Sequence, residues 1–248
     1  MTKIALITGG SRGIGAATAR LAARDGYDVC LNYVRDQAAA DAVADECRAL
    51  GVRAITHQCD IAQSDQVDAM FARCDADLGQ VTLLVNNAGT AGQVTSVADL
   101  PDEVLRETIE INVYGTIYCA RAAVRRMSTA RGGAGGVIIN ISSVAVTLGS
   151  PGEYVHYAAS KGAVDSFTIG LSKEVGPEGI RVNAIQVGTT DTGIHKRLGN
   201  PERPSVVAKI APLRRAAESE EMAEAVLWLA SDKAAYATGS ILRIGGGM

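Results

Sequence analysis

Lys3-Ile4-Ala5-Leu6-Ile7-Thr8-Gly9-Gly10-Ser11-Arg12-Gly13-Ile14-Gly15 joins a short apolar run to a glycine-rich turn, and the alanine-rich stretch 16–23 follows it. The run is strand-like, and the stretch after the glycines has the composition of a helix. Glycine reaches positive φ and lets the backbone approach a phosphate closely. The free N–H groups and dipole of a helix start then attract a pyrophosphate. A glycine turn alone is a weak signal, because it also serves as a tight strand-to-helix connection. Its place after the first strand and before a helix is what gives it meaning. The spacing is GxxxGxG, not GxGxxG.

Outward from this turn, short β-rich runs alternate with longer segments of helical period. The spacing predicts strands over 3–8, 27–33, 52–59, 81–86, 136–141, 180–186 and 240–244. Over 37–50, Val43, Cys47 and Leu50 share one face, and over 219–229 Met222, Val226 and Leu229 do so. Near-continuous apolar strands such as Leu83-Leu84-Val85 belong in a sheet covered on both faces. The pattern predicts an α/β chain: a doubly wound parallel sheet of about seven strands, one domain over 1–248. The glycine run 132–136 lies between a predicted helix and a strand, so it reads as a loop and not a boundary.

Composition excludes several functions. A net charge of −3 and a pI near 5.7 provide no basic face for nucleic acid. No apolar stretch reaches the roughly 18 residues of a membrane span, and the first apolar run is too short for a secretory signal. The five cysteines, 30, 47, 59, 74 and 119, are odd in number and lack CxxC pairing. They fit reduced, buried thiols, and a cytoplasmic location is expected. His57, His156 and His195 form no ligand cluster, so no metal is expected.

GxxxGxG preceded by Thr8 resembles the short-chain dehydrogenase/reductase family, and further motifs follow in that family's order. These are Asn86-Asn87-Ala88-Gly89 after the fourth strand, Asn112 within Glu110-Ile111-Asn112-Val113, and Asn140-Ile141-Ser142-Ser143 ending the fifth strand. Tyr157-Ala158-Ala159-Ser160-Lys161 then opens a helix. The resemblance covers nearly the whole chain and includes 3-oxoacyl-carrier-protein reductase-like and sugar dehydrogenase-like members.

It implies direct hydride transfer between a nicotinamide and a carbonyl or carbinol carbon, with Tyr157 as general acid/base. Tyr157 and Lys161, at i and i+4, share a helix face. A nearby ammonium lowers the tyrosine pKa from its ordinary value near ~10. By resemblance Lys161 also holds the nicotinamide ribose, Ser143 bonds the substrate oxygen, and Asn112 positions a water linking Lys161 to solvent. The segment from Ser143 to Tyr157 is about one residue longer than the usual spacing, which keeps Ser142 as the alternative. Tyr154, with Ala158 instead of Lys four residues on, is expected at the substrate mouth. A non-catalytic dinucleotide sensor on the same fold is the competing reading.

The cofactor residues implied are Gly9, Ser11, Arg12, Gly13, Ile14 and Gly15 in the loop, Asp60 and Ile61 near adenine, and Asn87, Ala88 and Gly89. Tyr157, Lys161, Val187, Gly188, Thr190 and Thr192 complete the set. An NAD site places a carboxylate at the end of the second strand. Here that strand ends Leu31-Asn32-Tyr33-Val34-Arg35, with no carboxylate before Asp36. Arg12 and Arg35 are suited to a 2′-phosphate, so NADP(H) is expected over NAD(H).

Val187 stands where the family has proline. Losing the ring frees φ, and a looser loop is expected. Segment 189–215 is expected to be the substrate lid, with little clear period. Arg125, Arg126, Arg131 and Lys173 offer a basic patch to an acyl-carrier protein, but a solvated helix face is the reading favoured for them. The resemblance further implies a homotetramer or homodimer built on the helices around 102–127 and 157–175.

Overall fold

Strands apolar at every position need cover on both faces. The computed structural model, which describes residues 3–192 and 202–248, provides it. Seven strands form one sheet: β1 (Lys3–Ile7), β2 (Tyr27–Tyr33), β3 (Ala54–Gln58), β4 (Leu83–Asn86), β5 (Gly136–Ser143), β6 (Ile180–Val187) and β7 (Ile241–Ile244). Their order is β3-β2-β1-β4-β5-β6-β7, and every pairing is parallel. All seven expected strands are present. β5 and β6 run past their expected ends because the register Ser143↔Val187 gives both extra residues a ladder partner.

Strand alternation divides the core in two. Ala5, Ile7, Val29, Leu31, Val85 and Ile185 face the layer of α1 (Gly13–Arg24), α2 (Gln37–Ala49) and the C-terminal helix Ser219–Ala230. Ile4, Leu6, Cys30, Leu84, Ile138 and Val182 face α3 (Ser64–Asp77), α5 (Thr116–Met127) and α7 (Val155–Val175). In α1, Ala16, Ala19 and Ala23 lie in the first core, where small side chains allow close packing on the sheet. Phe71 and Met70 fill the second.

The remaining helices are α4 (Asp102–Ile109), the four-residue α6 (Ala145–Leu148), and α8 (Arg203–Ile210), with Ser219–Ala230 as α9. α4 passes into α5 through a π-helical turn, Glu110–Gly115, so 102–127 is one helical run with a bulge at Asn112. α8 corrects the expectation of an aperiodic lid. Part of that lid, residues 193–201, lies outside the described residues.

Val187 is the last residue of β6, registered with Ser143 on one side and Ile244 on the other. Its carbonyl accepts from Val144 N at 3.1 Å, and Gly188 N donates to Ile244 O at 2.8 Å. These bonds use the Val187 carbonyl and the Gly188 N–H, and they tie the start of the segment to β5 and β7. Beyond it, Thr190 bridges to Ala217.

All five thiols are buried. Burial pushes Cys47 up to about 11 and Cys59 to about 12. Four of the five, scattered in sequence, meet in the second core. Among the described residues no helix is long and apolar enough to cross a membrane, and no group of His, Cys, Asp and Glu could hold a metal ion.

Strand order reverses between β1 and β4. In an open parallel sheet that reversal leaves a crevice at the carboxyl ends of the strands.

Candidate active site

The crevice is a cleft of about 650 Å³ running from the glycine loop to Tyr157. Gly9, Ser11, Arg12, Gly13 and Ile14 line one end, with Arg35, Asp60 and Ile61; Asn87, Ala88, Gly89, Ser143, Tyr157, Lys161, Val187, Gly188, Thr190 and Thr192 line the rest. Two expected members stand outside the lining. Gly15 packs behind the loop, where a Cβ would meet the Gly9 carbonyl and come within 2.6 Å of Asn87 Nδ2. Asn112 is fully buried.

The loop is built by tertiary bonds. Gly9 and Gly13 have φ of 63° and 53°, which side-chain-bearing residues rarely adopt. Asn87 Nδ2 donates to the carbonyls of Thr8 and Gly9 at 2.9 and 3.1 Å. Asn32, fully buried at the end of β2, accepts from Gly9 N at 3.1 Å and donates to Cys59 O at 2.7 Å. It ties three strand ends together, a role sequence reading missed. A lone polar residue in an otherwise apolar strand was the available signal. Positive-φ glycines, an open helix start at Gly13 and a long cleft suit a dinucleotide, with the pyrophosphate at the loop.

At the other end, alternation along β5 decides between the serines. Ser143 lines the cleft together with Tyr157, whereas Ser142 is fully buried on the opposite face. Tyr154 also lines the cleft. Lys161 Nζ donates to Ile141 O at 2.7 Å and lies 5.9 Å from the Tyr157 ring centre. Gly89 leaves room for it, since a Cβ there would stand 3.4 Å from Nζ.

Burial raises the Tyr157 pKa above its ordinary value, and the opposing influence is the Ser143 hydrogen bond. Burial also pulls Lys161 down to about 8, with Asp165 acting against it. The Asn112 side chain ties its surroundings together. It accepts from Thr90 N at 2.9 Å and donates to Thr90 O and Ser160 Oγ at 2.8 and 2.9 Å. Ser160 in turn donates to Tyr157 O, so Asn112 fixes the first turn of α7.

Arg12 and Arg35 both reach the adenosine end. Arg12 bonds Asp36 Oδ2 at 2.8 Å, while Asp36 Oδ1 accepts from Ala39 N at 3.1 Å and caps α2. Two of the basic residues named for a carrier protein, Arg125 and Arg126, are engaged in ion pairs. Arg126 pairs with Asp75 at 2.6 Å and Arg125 with Asp68 at 3.9 Å. Both sit at the end of α5, by the residues that lead into β4, whereas the cleft lies at the strands' carboxyl ends.

A family model described as enoyl-(acyl carrier protein) reductase matches residues 9–248. The chain is 47% identical over 244 residues to an uncharacterised oxidoreductase of Escherichia coli K12, covering 98% of this chain and 99% of that one. It is 36% identical over 248 residues to the 3-oxoacyl-[acyl-carrier-protein] reductase of Staphylococcus aureus Mu50, covering 100% and 98%. A blue fluorescent protein from a metagenomic library, solved in complex with NADPH, superposes with a TM-score of 0.90 at 34% identity over 99% of this chain and 97% of that one. The chain belongs to the short-chain dehydrogenase/reductase family of NAD(P)-dependent oxidoreductases.

Proposed function

We propose that this protein reduces a carbonyl group on a small ketone, a 3-oxoacyl thioester or a sugar, or oxidises the corresponding alcohol, and that NADPH is its preferred cofactor. One observation carries the reading: Tyr157, Ser143 and the buried Lys161 line the same cleft as a phosphate-binding loop. When bound, the dinucleotide supplies or accepts the hydride. The Gly9–Ile14 backbone and the start of α1 would hold its pyrophosphate, and Tyr157 and Lys161 its nicotinamide end.

The raised Tyr157 pKa keeps the phenol protonated at neutral pH, which suits a general acid. Its proton goes to the carbonyl oxygen, and Ser143 donates a hydrogen bond to the same atom. Lys161, cationic below about pH 8, stabilises the phenolate left behind. Asn112, through Ser160, holds the Tyr157 turn in place. A panel of ketones, sugars and small acyl thioesters with NADPH and NADH tests the reading. Turnover that Tyr157→Phe abolishes supports it. Dinucleotide binding without turnover, indifferent to that substitution, would instead favour a sensor.

The NADPH preference rests on Asp36. Both of its oxygens are already engaged, by Arg12 and by Ala39 N, so it is poorly placed to accept from ribose hydroxyls. Arg35 is left to face a 2′-phosphate, with the remaining N–H groups of the Asp36-paired Arg12 beside it. Arg35→Ala is expected to weaken NADPH binding about tenfold to a hundredfold while changing NADH binding little, as followed by cofactor fluorescence. Equal affinity of the unaltered protein for both cofactors would sink the preference.

Carrier-protein docking gains nothing from the Arg125–Arg131 region, so the thioester reading is kept for the substrate alone. A homodimer or homotetramer is proposed from the partly exposed apolar strand β7 and from Trp228 at 44% and Ile169 at 40% exposure. A cytoplasmic setting is proposed from the five unpaired, buried thiols.

A further inference from the structure

The inward stripe of α7 is polar where a core-facing helix is ordinarily apolar. Lys161, Asp165 and Thr168 follow at i, i+4 and i+7 and are all buried. Thr168 Oγ1 accepts from Asn140 Nδ2 at 2.9 Å. Asp165 Oδ2 accepts from Gln186 Nε2 at 2.7 Å. Ser142 is registered beside Gln186 across β5 and β6, so strand geometry turns both side chains to this face. Asp165 is 8% exposed and Gln186 6%. Neither Asp165 Oδ1 nor Ser142 Oγ has a hydrogen-bond partner among the described residues.

A carboxylate buried with one neutral donor is costly. An asparagine would keep the Gln186 bond without the charge, so packing alone does not account for an acid here. Asp165 is absent from the cleft lining and contacts neither substrate nor cofactor space. It lies one helical turn behind Lys161.

We propose that Asp165 is a positioning residue of the active site, its buried carboxylate one helical turn behind Lys161 keeping that side chain cationic from outside the cleft whether or not Gln186 holds it. The consequence for turnover rests on the oxidoreductase reading, but the coupling of the two charges does not. Burial alone works against the ammonium, and Asp165 supplies the opposing influence. Among the described residues, Asp165 is the charge that acts on Lys161, and apart from Glu107 on the cleft wall the other elements around it offer neutral groups. β5 offers the Ile141 carbonyl and two serine hydroxyls, the π-turn the neutral Asn112, and β6 the neutral Gln186. On its own helix stands Tyr157, while His156 turns Nε2 to Ala91 O at 3.1 Å. Glu107 of α4 lines the cleft.

Lysine labelled with ¹³C at Cε reads the charge directly by NMR, with the Lys161 signal assigned by its loss in Lys161→Arg. In the intact protein its midpoint is expected near pH 8. Asp165→Asn is expected to lower that midpoint by about one unit, a tenfold fall in the ratio of charged to neutral lysine at any given pH. Gln186→Met removes the hydrogen bond and keeps the carboxylate, so its midpoint stays near the parent value. An unchanged midpoint in Asp165→Asn, or an equal shift in Gln186→Met, overturns the proposal. If Asp165→Asn does not fold, Gln186→Lys sets a cation against Asp165 and must produce the same downward shift. Turnover measured alongside should lose more at pH 8 than at pH 6 in Asp165→Asn. A shifted midpoint with no turnover in any form would count against the oxidoreductase reading and leave the charge coupling standing.

Discussion

Tyr157→Phe is expected to lower kcat by about 10² to 10⁴-fold while dinucleotide affinity stays within about twofold of the parent. The change deletes one oxygen and keeps the ring. That oxygen is the proton donor of the proposed reaction. Its loss therefore falls on the chemical step and not on the loop that grips the cofactor. Single-turnover oxidation of NADPH with a substrate from the panel separates the two effects. A Phe variant that turns over within tenfold of the parent would remove Tyr157 from the acid role. The pH profile adds a second check. Lys161 loses its charge as pH rises through about 8 in the free protein, so kcat/KM for reduction should fall above that point.

The other large effect is predicted for Gly15→Ala. A Cβ at Gly15 would collide with the Gly9 carbonyl and stand 2.6 Å from Asn87 Nδ2. Both neighbours are held: Gly9 by Asn32 and Asn87, and Asn87 by Thr8. The loop cannot yield at one atom without disturbing the bonds that set its shape. Overpacking of this kind costs about 1–3 kcal/mol of stability, and dinucleotide affinity should drop at least tenfold, on the order of 1.4 kcal/mol. Thermal unfolding with and without NADPH measures both. The parent should gain stability from the ligand, and the variant should gain little. Ligand stabilisation of the variant equal to the parent's would show that the loop tolerates the methyl group.

Local pattern was enough for the sheet. All seven strands are signalled by runs such as Ala5-Leu6-Ile7, because a parallel sheet buried on both faces writes itself into consecutive apolar residues. Strand ends were less legible. β5 extends to Ser143 only because β6 offers Val187 beside it, a pairing no local window contains. α8 was missed where Pro and charge obscured the helical period. At the site, Tyr157, Lys161 and the glycines were visible as spaced motifs. Asn32 and Gln186 were not, since each acts through a partner more than twenty residues away. Asn112 was noticed as a site residue, but its three hydrogen bonds to Thr90 and Ser160 were out of reach because they exist only in the folded chain. The direction of the Tyr157 shift was also out of reach, as spacing reports a neighbouring charge and says nothing about lost hydration.

The buried thiols give the protein a built-in clock. Every cysteine lies in the interior, and the raised pKa of Cys47 and Cys59 leaves little reactive thiolate even if reagent could approach. Alkylation must therefore wait for the chain to open. Cys47, under α2, reports release of one helical layer, and Cys59, Cys74 and Cys119 report the other. The order in which labels appear would show which side of the sheet lets go first, in the unaltered sequence and without any added probe.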